Sequence, residues 1–201
     1  MEKQAKQFIL NKGLILGLIL MFFPIIDLLY GSDMGLTNYL LIFGLLWMFI
    51  YSFLILKWSK EFASYYEIFP FKDAFRTLFV ISALSLAVLT VGKTLLWTFS
   101  YPEKYIELNM QRELGFFEIQ KSLINKAYQE GTFNDNQYED QIKSFDESTR
   151  LISSKWEMIK SQGLGVTYFL QVLIYVLFLI SIYCAILALF VRKKDTFIKT
   201  N

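Results

Sequence analysis

The charges of this chain are segregated, and that segregation constrains the fold more than any motif does. Four apolar runs, at 13–30, 39–56, 77–99 and 166–191, are separated by short polar connections and by one long polar stretch, Ser100 to Gly165. Each run approaches the roughly 20 residues a helix needs to cross a bilayer, with about 17 as the lower end. The sequence therefore predicts an all-α membrane protein with four transmembrane helices. Its 55% hydrophobic and 18% aromatic side chains lie outside the range of ordinary soluble domains. Residues 1–99 carry helices one to three, with an aromatic and basic loop at 57–76. Residues 100–165 form a separate polar unit, and 166–201 carry helix four and a basic tail.

The first run follows Lys3, Lys6 and Lys12, as a signal peptide's core would. It is too long for a cleavable core and no small-residue cleavage site follows, so it is read as a retained helix. Basic residues then set the orientation. Lys57, Lys60, Lys72 and Arg76 lie in the second connection, and Arg192, Lys193, Lys194 and Lys199 in the tail, whereas the first connection, 31–38, has no Lys or Arg. This places both termini in the cytoplasm of a bacterial inner-membrane protein and residues 100–165 in the periplasm. Long segments translocate largely regardless of charge, and here acidic residues outnumber basic ones, 11 to 8.

The polar stretch is punctuated as two helices. Ser100-Tyr-Pro-Glu103 fits a capping box with proline in the first turn. Gly131 fits a helix stop, and Asn134 a second N-cap, with Phe133 and Tyr138 placed as a hydrophobic staple. Apolar residues recur at Ile106, Met110, Leu114, Phe117, Ile124 and Tyr128, interrupted by Lys121. They recur again at Tyr138, Ile142, Phe145, Ile152, Trp156 and Ile159, with Thr149 in the gap. Glu139–Lys143 and Asp146–Arg150 are spaced to pair along one helix. The expectation is an extracytoplasmic antiparallel helical hairpin zipped by these seams. Part of the seam, at Ile106, Met110, Leu114, Phe117, Tyr138, Phe145 and Trp156, is the candidate surface for a partner, because two helices alone bury little apolar area.

Chemistry is sparse. Histidine is absent, which removes the commonest metal ligand and neutral-pH acid–base group. Cys184 is a single thiol inside an apolar run and reads as packing. No phosphate loop, metal-ligand cluster or nucleophile motif is present, so no catalytic residue, metal, cofactor or small-molecule substrate is assigned, and no nucleic-acid partner. Glu103, Glu107, Glu113 and Glu118 read as a solvated face. Two ionisable residues interrupt the apolar runs, Asp27 and Lys93. Both fall toward the outer end of their helices, and an interhelical ion pair between them is expected, in competition with a snorkelling Lys93. Pro24 should kink the first helix, and Gly13-x-x-x-Gly17 and the small residues Ser181, Cys184, Ala185 and Ala188 permit close helix approach. Trp58, Phe62, Tyr65, Tyr66, Phe69 and Phe71 read as an aromatic belt beside positive-inside lysines.

The layout carries a resemblance. YYEIFPFKDAFRTLF (65–79) leads into the third helix and WTFSYPEKYIE (97–107) leaves it, and a long charged helical segment precedes a final helix ending at RKK. In these features the chain resembles the uncharacterised four-helix membrane proteins of Bacteroidota grouped as domain of unknown function 4199. That resemblance implies an inner-membrane location and no activity. The expected role is a non-enzymatic scaffold or accessory subunit, in contact with membrane lipids, that binds another membrane or envelope protein or a further copy of itself. The alternative is a small oligomeric transporter or channel using Asp27 and Lys93.

Overall fold

The computed structural model of the protein describes residues 2–193; Lys194 and Lys199 of the basic tail lie outside the described residues. The first apolar unit is α1 (Glu2–Leu20) followed by α2 (Phe22–Tyr30), separated at Met21. Pro24 explains the break, since it lacks the N–H that would bond the carbonyl of Leu20. The second unit is α3 (Leu36–Tyr39), a π-helical stretch Leu40–Leu46, and α4 (Trp47–Ser64). The third is α5 (Phe71–Lys93), continued by π-helical turns at Thr94–Ser100. Then come α6 (Pro102–Gln129), α7 (Asp135–Gln162) and α8 (Val166–Val191). Four units, Lys3–Tyr30, Leu36–Ser64, Phe71–Ser100 and Val166–Val191, are long and apolar enough to cross a membrane.

The stretch 57–76, expected as a loop, is mostly helix. α4 runs on to Ser64, and only residues 65–70 connect it to α5, which starts after an extended Pro70 (φ −66°, ψ 163°). Its aromatics are partly interior: Trp58, Phe62 and Phe69 are buried, while Tyr65 faces outward. Phe69 exchanges backbone hydrogen bonds with Lys193, and Lys12 sits over the rings of Phe8 and Trp58. Both ends of the described chain thus lie at one end of the bundle. Residues 100–165 lie at the other.

Helix packing in the bundle follows small residues. A Cβ on Gly13 would stand 2.7 Å from the Cβ of Leu84, and one on Gly17 2.6 Å from that of Val88, so α1 lies directly on α5. On another face of α5, where Ser82 meets Cys184, Cys184 and Ala188 of α8 are fully buried. A polar knot ties α4, α5 and α8 together. Tyr51 donates to Ser82 Oγ (2.6 Å), Ser82 donates back to the carbonyl of Leu78 (2.7 Å), and the Cys184 sulfur lies 3.4 Å from Ser82 Oγ. Ser52 and Tyr183 share a further bond of 2.6 Å.

α6 and α7 run in opposite directions against each other. Tyr128 stacks on Tyr138 (4.2 Å), Lys121 pairs with Asp146 (2.9 Å), and Phe117 meets Phe145 edge-on (5.9 Å). The turn uses Gly131 at φ +74°, with Thr132 N–H bonding the carbonyl of Ala127. Only glycine adopts that backbone freely. Asn134 caps α7, and Gln137 completes a capping box. Three local expectations fail. Ser100 forms no capping box, because the π-helical turns extend through it and Tyr101 takes the N-cap position without a side-chain bond. The ring of Tyr138 stacks on Tyr128, and among the described residues no ring contact joins it to Phe133. Among the described residues no ion pair joins Glu139 to Lys143 or Asp146 to Arg150; Asp146 reaches across to Lys121 instead. That cross-link explains the lysine in the seam.

Candidate site at the mouth of the bundle

α6 leaves the third apolar unit and lies across the end of the bundle. Lys104 Nζ donates to the carbonyl of Leu28 (2.6 Å), and eight residues on, Arg112 forms a two-pronged ion pair with Asp27. One prong is Nη1 to Oδ2 at 3.2 Å, and the other joins Nη2 to Oδ1. Both side chains are about nine-tenths buried, at 11% exposure each. The guanidinium also lies over the ring of Tyr39, 3.8 Å from its centre. A planar, weakly hydrated guanidinium suits this combination of fork and stacking, where a lysine would not. Gly31 leaves room for it, since a side chain there would collide with both Asp27 and Arg112.

The expected partner of Asp27 was Lys93, and the structure corrects this. Asp27 and Lys93 do reach one place, but the carboxylate is taken up by Arg112 from outside the four apolar units. Lys93 makes no hydrogen bond or ion pair among the described residues. An ammonium at membrane depth is costly, about 2.5–3.5 kcal/mol at the centre on insertion scales and less toward the ends. Lys93 instead borders a cavity of about 300 Å³ whose walls also include Asp27, Tyr39, Thr90, Phe43, Trp47 and Val176. Both π-helical stretches adjoin it, and such stretches often mark functional positions in helices.

Beside the ion pair, a second cluster fastens α6 and α7 to the bundle. Trp97, Tyr105, Ile106, Leu108, Trp156, Leu164 and Phe169 are all buried together. Tyr105 is central, with its ring against Trp97 (5.2 Å), Phe169 (5.4 Å) and Trp156 (6.5 Å). Burial pushes its hydroxyl pKa up, and the adjacent Tyr168 acts in the same direction. Trp156 Nε1 donates to Glu113 (2.8 Å), which Lys155 also contacts (2.9 Å), so Glu113 is more than a solvated carboxylate.

These contacts revise the candidate partner surface. Ile106 and Trp156 are buried, Met110 packs against the same cluster, and Phe117, Phe145 and Tyr138 meet rings inside the helix pair. Leu114 is half-buried. The exposed apolar residues are others: Phe116, Ile119 and Leu123 on α6, and Leu151 and Met158 on α7.

Sequence comparison bears on the same layout. The profile of a family described as Protein of unknown function (DUF4199) matches residues 11–193. The chain belongs to the DUF4199 family. That match takes in the last three apolar units, the first from residue 11 onward, and both helices between the third and fourth, so the DUF4199 region includes the Asp27–Arg112 pair and the cavity. No curated protein and no solved structure matches the chain. Among the described residues, no group of three His, Cys, Asp or Glu side chains is placed to hold a metal ion.

Proposed function

We propose that this DUF4199 protein is a non-enzymatic scaffold or accessory subunit of a bacterial inner membrane. Both termini lie in the cytoplasm, and α6 and α7 form a periplasmic helical hairpin that binds another membrane or envelope protein. The basic residues at the end of the bundle near Phe69 and Lys193, and their absence from 31–38, support the orientation. The observation that carries the reading is the exposed stripe Phe116, Ile119 and Leu123. It continues the face of α6 that meets the bundle through Tyr105, Leu108 and Arg112, at the same three-and-four spacing, starting beside Leu36, Tyr39 and Leu40 of the second unit. A neighbour seated beside this chain in the membrane would complete that face.

Purification in mild detergent should bring down a membrane protein in fixed ratio, and Phe116→Ser/Ile119→Ser/Leu123→Ser should release it while the fold persists. Recovery of the same complex with the triple variant would refute the surface. The alternative, a small oligomeric transporter or channel, draws on Asp27 and Lys93 beside one cavity. It is the weaker reading, because Arg112 already neutralises Asp27 and leaves one charge on the path.

A further inference from the structure

We propose that the cavity at Lys93 binds an anionic amphiphile, a molecule with one apolar chain and a carboxylate or phosphate head. The proposal rests on this chain's lying in a membrane and is independent of any protein partner. Three observations meet here. The first is charge. Asp27 and Arg112 are bound to each other, so Lys93 is the one basic side chain lining the cavity, and it has no bonded partner among the described residues. An anion supplies what the protein withholds.

The second is shape. The cavity, about 300 Å³, lies at the small end of ligand-sized pockets. Below Lys93 its walls are apolar, with Phe43 and Trp47 contributed by the second unit and Val172 and Val176 by α8. That is room for a chain beneath a charged head. The third is access. α4 and α8 are tied at Ser52–Tyr183, and the cavity occupies the space between the same two units nearer their outer ends. Val172, one of its wall residues, is 40% exposed at the surface of the bundle, so a chain can enter there sideways. Thr90 and Tyr39 add hydroxyls to the lining.

The test uses the full chain in a neutral maltoside detergent. Dodecanoate, dodecyl phosphate, dodecyltrimethylammonium and inorganic phosphate are titrated, with thermal unfolding as one readout. Quenching of Trp47 by a brominated dodecanoate is the second. The two anionic amphiphiles should bind and stabilise the fold. Lys93→Met, which keeps the length of the side chain, should weaken them about tenfold or more, as expected for loss of a charged hydrogen bond. Lys93→Arg should restore binding, and Val176→Phe, which fills the chain space, should also abolish it without unfolding the protein. Equal binding of the cationic amphiphile, or unchanged binding by Lys93→Met, would overturn the proposal in favour of a plain apolar groove. Inorganic phosphate binding as tightly as dodecyl phosphate would overturn the amphiphile and leave a free-anion site.

Discussion

The four-unit bundle and the α6–α7 pair are built from the same backbone element by different means. In the bundle, helices approach through Gly13, Gly17, Cys184 and Ala188, and short hydroxyl bonds such as Tyr51–Ser82 cross between them. In the α6–α7 pair, contact is made by large rings and charges that cross from one helix to the other. The difference matches the composition of the two regions, four units apolar enough to cross a membrane and two polar helices. Lipid is as apolar as leucine, so burying leucine gains little in a membrane, and close backbone approach takes its place. Between α6 and α7 the rings cover one another, while the Lys121–Asp146 pair stays exposed. The two regions join at the Asp27–Arg112 pair, the Lys104–Leu28 bond and the Trp97–Tyr105–Trp156 cluster.

Substitutions should separate the two regions. The largest effect is expected for Trp156→Ala, which removes a buried indole and the Glu113 bond and should cost about 3–5 kcal/mol. Hydrogen exchange should then rise along α6 and α7 while α5 stays protected. Gly17→Val should do the reverse. A side chain there collides with Val88 and the carbonyl of Ser85, and overpacking of this kind costs about 1–3 kcal/mol. Its exchange signature should appear in α1 and α5. Asn134→Ala should have the smallest effect, about 1 kcal/mol from the lost N-cap, read as faster exchange in the first turn of α7 alone.

How much of this could be read from sequence differs between the same two regions. Periodicity and length give the four apolar units, and the last was legible to the residue because Gly165 and Arg192 flank an unbroken run. The glycine pair on α1 was also legible as a contact, though not its partner on α5. On α6, one apolar seam was visible and the other was missed. Tyr105, Leu108, Arg112, Phe116, Ile119 and Leu123 repeat at three-and-four spacing beside the seam, but Arg112 reads as an ordinary surface charge in a polar helix. Asp27 was correctly singled out as needing a partner. Membrane depth suggested Lys93, since no local pattern tells that a helix outside the apolar units will fold back across the bundle and deliver an arginine.

The central claim is that α6 is fastened to the bundle through Asp27 and Arg112. A double-mutant cycle with Asp27→Asn and Arg112→Gln, read by unfolding of the detergent-solubilised chain, measures that coupling directly. Beside it, the cycle with Asp27→Asn and Lys93→Gln measures the rival pair. The account predicts a coupling of about 1–3 kcal/mol for Asp27 with Arg112 and less for Asp27 with Lys93. Additive single effects for the first pair, with the coupling found in the second, would contradict it.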